Sequence, residues 1–174
     1  MAKRLIDPHN IKYDDLPLIV LSDHSWSPIS WVIKWRTKSS WNHAMIMVRP
    51  GEFVSQGWFL NKVPIKKFMK RGSRLKFWKI KDLSDSGRIM IETEVREDLR
   101  LPKWKTRYDF FGILGQAVGI KVINAPWVNY CSERVSRWLS RVIKGLNSHA
   151  SPKDLNVSFK KNERLECYGY WFSD

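Results

Sequence analysis

Apolar and polar positions repeat along this chain with two periods, and the longer one predicts a helix near residue 135. After Cys131, apolar side chains recur four, seven, eight, eleven and twelve residues later, at Val135, Trp138, Leu139, Val142 and Ile143. That spacing defines one face of an amphipathic helix. We predict a helix over 130–144 with Asn129 as its N-cap and Gly145 as its stop. Cys131 then lies in the first turn.

The shorter period, two residues, predicts a β-hairpin. Its strands are 43–48 and 53–58, and Pro50-Gly51 supplies the turn between them. With that turn at the tip, Met45 pairs with Gln56, so Gln56 lies diagonally beside His43 on the same face of the sheet. A one-residue change in the loop would move Gln56 to the other face.

The same patterns place the remaining elements and predict one α+β domain over residues 1–174, an antiparallel sheet packed against helices. Ser86 is the predicted cap of the helix before residue 100. The other predicted elements are strand 16–21, helix 28–37, strand 74–80, helix 86–98, a helical stretch 109–117, short helix 152–156 and a terminal strand from Leu165.

Cys131 and His43 are the candidate catalytic residues. Unpaired backbone N–H groups and the macrodipole at a helix start favour a thiolate over a thiol. A histidine can take and return the proton, and a third polar residue such as Gln56 can orient the imidazole. The alternative is that Cys131 is a small buried apolar residue and His43 a partly buried side chain.

At these residues the chain resembles the circularly permuted branch of the NlpC-type papain-like cysteine peptidases, which is similar to the lecithin:retinol acyltransferase-like proteins. In that branch the histidine strand precedes the cysteine helix, as here. The resemblance covers about residues 14–157. Besides the histidine and cysteine segments, it rests on 15–21, 27–33, 108–115 and 151–155.

The resemblance implies a papain-like fold with Cys131 as nucleophile, His43 as base and Gln56 in the place of the third polar residue. That branch often has glutamate or histidine where Gln56 stands, and a neutral amide cannot stabilise imidazolium as a carboxylate does. The Cys131 backbone N–H is the predicted first oxyanion donor. The implied activity is hydrolysis of peptide amide bonds, such as those of cell wall peptides; lipid acyl hydrolysis or transfer is the alternative.

The net charge of the chain indicates what kind of partner it binds. The chain has 31 Lys and Arg against 17 Asp and Glu, a net charge of +14. Many of the basic residues fall between Lys62 and Lys81. Such a field attracts polyanions, and we expect an anionic substrate or surface, either cell wall polymer or acidic lipid headgroups. A non-enzymatic nucleic-acid binder, in which exposed tryptophans stack on bases, is the rival class. A merely solvated surface is the third possibility.

Composition excludes several other classes. The two cysteines, Cys131 and Cys167, do not make a disulfide scaffold, and Cys167 reads as a packed residue of the terminal strand. The four histidines lack metal-ligand spacing and there is no glycine-rich phosphate loop, so we predict no metal or cofactor. No transmembrane run or secretory leader is predicted, which indicates synthesis in the cytoplasm. Four of the ten tryptophans, Trp26, Trp31, Trp35 and Trp41, precede the histidine strand. They either pack in the core or line a groove.

Overall fold

A computed structural model of the protein describes residues 4–23, 39–107, 131–146 and 151–173. Its centre is a six-stranded antiparallel sheet in the order β4-β3-β2-β1-β5-β6. The strands are β1 (Leu18–Asp23), β2 (His43–Arg49), β3 (Glu52–Gln56), β4 (Leu60–Pro64), β5 (Arg74–Ile80) and β6 (Leu165–Phe172). The described helices are α1 (Asp85–Arg100), α2 (Cys131–Ser140) and α3 (Pro152–Lys161).

Side chains on both faces of the sheet are buried. On one, the helix face, Ile19, Ala44 and Ile46 pack with residues of α1, α2 and α3. On the other, the loop face, Met45 and Met47 pack with residues of the N-terminal segment and of the segment after β4. Strand β1 is buried along its whole length, which explains why it reads as a continuous apolar run rather than an alternating one.

The α+β class and the antiparallel sheet agree with the sequence prediction, and most elements start within two residues of the predicted positions. Four details differ. Helix α2 ends at Ser140, four residues before the predicted end at 144. Strand β4 lies in the segment predicted only as basic. Ser84, not Ser86, caps α1, because its hydroxyl accepts from the Gly87 backbone N–H at 3.2 Å. The short helix predicted over 152–156 continues as α3 to Lys161.

Several predicted features lie outside the residues that the structure describes. The predicted helix 28–37, the helical stretch 109–117 and the cap Asn129 lie outside the described residues, as do Trp26, Trp31 and Trp35. Trp41 is half-buried and packs against the helix-face core. Within the ranges described, no helix has both the length and the apolar composition needed to cross a membrane.

Candidate active site

The candidate site lies where β2 begins. Strand β2 starts at His43, β3 runs antiparallel to it and ends at Gln56, and Ser22 of β1 stands directly across from His43. Because β5 is antiparallel to β1 and starts at Arg74, its first residues lie at the same end of the strands. We call this the His43 end of the sheet.

The His43 ring is held on two sides. Its Nε2 is 2.8 Å from the Ser55 hydroxyl oxygen on β3. Its plane lies almost parallel to the Phe68 ring, with centroids 6.0 Å apart and an interplanar angle of 7°. The hydrogen bond and the stacking restrict the imidazole's rotation, so its orientation is set by neighbouring protein groups.

The predicted pairing of Met45 with Gln56 is wrong by one residue. Arg49 pairs with Glu52 as expected, but the register then shifts, so that Met45 pairs with Ser55. A β-bulge adds one residue to β2, and each one-residue shift exchanges the two faces of a strand. Ser55 therefore lies beside the histidine, in the position predicted for Gln56.

Gln56 instead lies on the helix face, away from the His43 ring. Its side-chain Nε2 donates to the Thr106 carbonyl oxygen at 2.5 Å, and its side chain is buried. The bond attaches the 3₁₀ helix Lys103–Thr106 to the end of β3. Gln56 thus has a clear structural partner, and it is not the residue that orients His43 in this structure.

Ser22 adds a second hydroxyl beside His43. It is 1% exposed, and its Oγ has no hydrogen-bond partner among the described parts of the chain. A buried hydroxyl without a partner is costly. The His43 end therefore carries an unsatisfied polar group one strand away from the imidazole, on the same face of the sheet.

Cys131 is the first residue of α2, as the apolar periodicity predicts. Its sulfur is not part of a disulfide, and its side chain is 2% exposed. Helix α2 packs on the helix face, where Val135, Trp138 and Leu139 join the cluster that contains Ala44 of β2. The structure thus brings into contact the two elements that begin with the candidate nucleophile and the candidate base.

The His43 ring and the helix that begins with Cys131 lie on opposite faces of the sheet. Alternation along β2 puts the His43 ring on the loop face, with Ser55 and Phe68, whereas α2 lies on the helix face. Because His43 is the terminal residue of its strand, its ring lies at the strand end, where the two faces of the sheet meet. Any contact between the imidazole and the thiol must form around that strand end.

A buried carboxylate fixes α2 against α1. Asp98 accepts hydrogen bonds from Arg134 Nη1 at 2.9 Å and Trp138 Nε1 at 2.8 Å, and also from Arg137. Burial lowers the pKa of Arg134, and the neighbouring Asp98 opposes that effect. No sequence signal identifies Asp98, because nothing in a run of helix-forming residues marks one carboxylate as an inter-helix partner.

The second cysteine also differs from expectation. Cys167 is in β6, as predicted, but its side chain is exposed rather than packed. Neither cysteine is part of a disulfide. Across the residues with described positions, no group of three or more His, Cys, Asp or Glu side chains is arranged to hold a metal ion.

Fold and site together define an α+β protein with a six-stranded antiparallel sheet, helices on one face and a cysteine at a helix start. No family model matches the chain, and no curated protein matches it. Among solved structures, the fold is similar to that of the metalloprotein yiiX, DUF1105, from Escherichia coli O157:H7. The TM-score is 0.53 at 14% sequence identity, over 90% of this chain and 97% of that one. At that identity the likeness concerns the fold alone.

Proposed function

We propose that this protein is a cysteine hydrolase of the permuted papain-like type, with Cys131 as nucleophile and His43 as base. The observation that carries the proposal is the anchoring of His43 by Ser55 at the end of the strand on which the Cys131 helix packs. A nucleophile, a base and a group that orients the base are what such a site requires. Ser55 takes the orienting role expected of Gln56.

The reaction follows from those roles. Nε2 of His43 bonds to Ser55, so Nδ1 is the nitrogen assigned to the thiol. The Cys131 thiolate attacks an amide or ester carbonyl, and the tetrahedral intermediate collapses as the imidazolium gives its proton to the leaving amine or alcohol. The resulting thioester is hydrolysed by water, whose proton returns through His43 and restores the thiol. The backbone N–H of Cys131 is the proposed oxyanion donor.

A hydroxyl can orient an imidazole through a hydrogen bond, but it carries no negative charge. It therefore does not stabilise imidazolium as a carboxylate does. We therefore expect a thiolate–imidazolium pair less stable than one supported by an acidic residue. Because the Cys131 side chain is 2% exposed, the proposal also requires a route by which substrate reaches the sulfur. Peptide amides, including those of cell wall peptides, are the proposed substrates, and lipid esters are the alternative.

The test is the pH dependence of Cys131 alkylation. A Cys167→Ser background removes the exposed thiol, and iodoacetamide incorporation at Cys131 is then followed by mass spectrometry. We expect an inflection clearly below about 8.5, the pKa of an ordinary thiol. His43→Ala should move that inflection upward, whereas His9→Ala, a change at an exposed histidine elsewhere, should not.

An unchanged profile in His43→Ala would refute the pairing of the two residues. A folded protein in which Cys131 does not alkylate at any pH would refute the nucleophile itself. The substrate class is then addressed by incubating the protein with activated peptide and lipid acyl donors. The mass of the adduct on Cys131 identifies the acyl group accepted, and Cys131→Ala is the control.

A further inference from the structure

Two exposed tryptophans lie on neighbouring segments near the His43 end of the sheet. Trp58, in the turn between β3 and β4, is 66% exposed, and Trp104, in the 3₁₀ helix after α1, is 64% exposed. The Gln56 side chain bonds one segment to the other through Thr106. Lys103 also lies over the Phe59 ring, 5.9 Å from its centroid. The two segments form one surface, which we call the Trp58–Trp104 surface.

The charged residues of the segment 101–107, which carries Trp104, are all basic. Lys103, Lys105 and Arg107 are all exposed, and 101–107 contains no acidic residue. Lys105 lies over the Trp104 ring at 5.1 Å from its centroid. Leu101, 38% exposed, adds an aliphatic side chain to the same segment. The surface therefore combines large apolar side chains with cations that hold the ring faces.

The topology places this surface beside the candidate site. Strand β3 ends at Gln56, so the turn that carries Trp58 continues from the His43 end. The exposed residues Lys70 and Arg71 precede β5 and reach the same end. A partner docked on the Trp58–Trp104 surface would therefore lie next to the strand ends that hold His43 and Ser55.

We infer that the Trp58–Trp104 surface binds the headgroup region of an anionic lipid membrane. Tryptophan is favoured at membrane–water interfaces because one part of its side chain is apolar and its N–H is polar. Lysine and arginine beside it gain from the negative surface potential of acidic lipids. The exposed leucine favours lipid over nucleic acid, since an aliphatic side chain offers no ring on which a base can stack.

Membrane binding by this surface does not depend on the proposed catalysis. The experiment is co-sedimentation of the full chain with vesicles of phosphatidylcholine alone or of phosphatidylcholine with phosphatidylglycerol. We expect binding only to the second kind, weakened by added salt and fully retained by Cys131→Ala. A failure of catalysis would leave this result in place, and a failure of binding would leave the alkylation result in place.

Paired variants locate the binding surface. Lys103→Glu with Lys105→Glu should reduce vesicle affinity by at least about tenfold. The same change of net charge in Lys160→Glu with Lys161→Glu, at two exposed residues that end α3, should have much less effect. Equal losses in the two double variants would show that only net charge matters and would overturn the inference.

The apolar part is tested separately. Trp58→Ser with Trp104→Ser should weaken binding to the anionic vesicles, while Ile89→Ser, at a side chain 63% exposed on α1, should not. Each variant is compared with the unchanged protein by circular dichroism, and Lys103→Gln with Lys105→Gln replaces the charge reversal if that variant unfolds. Binding of single-stranded oligonucleotide without binding of vesicles would overturn the inference in favour of nucleic acid.

Discussion

Removing the Asp98 carboxylate should strongly destabilise the packing of α1 against α2. This one side chain accepts hydrogen bonds from Arg134, Arg137 and Trp138. In Asp98→Ala all three donors lose their acceptor. Arg137 is 45% exposed and can turn to water, but the Arg134 side chain is 1% exposed.

The expected loss follows from that difference in exposure. Breaking a buried ion pair by removing one partner costs about 3–5 kcal/mol, because the remaining charge is left without compensation. Two further guanidinium nitrogens of Arg134, Nε and Nη2, already lack partners within the described residues, so this site has no spare acceptor there. For a domain of this size, the loss corresponds to a fall in Tm of roughly 10 °C.

Urea unfolding followed by circular dichroism measures the effect. Asp98→Asn keeps an oxygen acceptor but removes the charge, so we expect a smaller loss than in Asp98→Ala. Glu97→Ala, which removes an exposed carboxylate from the adjacent position on α1, is the matched control and should change stability by less than about 0.5 kcal/mol. If Asp98→Ala and Glu97→Ala lose similar amounts, the buried pair does not fix α2 as we argue.

Two other predictions concern polar side chains, first beside His43 and then at Asp15. Ser55→Ala should lower the alkylation rate of Cys131 near neutral pH because His43 loses its Nε2 partner; Gln56→Ala should leave that rate nearly unchanged, and the reverse order would restore the predicted role of Gln56. A hydrogen bond from Lys79 lowers the pKa of Asp15 below its usual 3.8. The Asp15 carboxylate therefore stabilises the fold fully at pH values above the usual pKa of 3.8. This stabilisation is lost as the pH falls through the lowered pKa of the folded protein. Asp15→Asn should be less stable than the unchanged protein at neutral pH and similar to it in strong acid, as measured by unfolding at each pH; a constant difference would refute this.

Local pattern was enough for most of the described elements and for the positions of Cys131 and His43 in them. The spacing of apolar residues placed Cys131 in the first turn of a helix, and alternation placed His43 at the start of a strand, because both signals depend only on which side chains a single element buries. The sequence concealed β4 because only Leu60 of its five residues is buried, while Asn61, Lys62 and Pro64 are exposed. Lys76, one of the basic residues between Lys62 and Lys81, is buried rather than on the surface, and it donates to Asn156 at 3.0 Å.

Tertiary structure alone decided which residues meet. The bulge in β2 exchanged Gln56 for Ser55 beside His43, and no sequence signal marks the extra residue, because a bulge is stabilised by the pairing of two strands rather than by either strand alone. The contact of Asp98 with Arg134, across 36 positions of the chain, is likewise set by how two helices cross. Sequence thus determined most of the described elements and most of their buried faces, while the register and the polar partners required the packed sheet and helices.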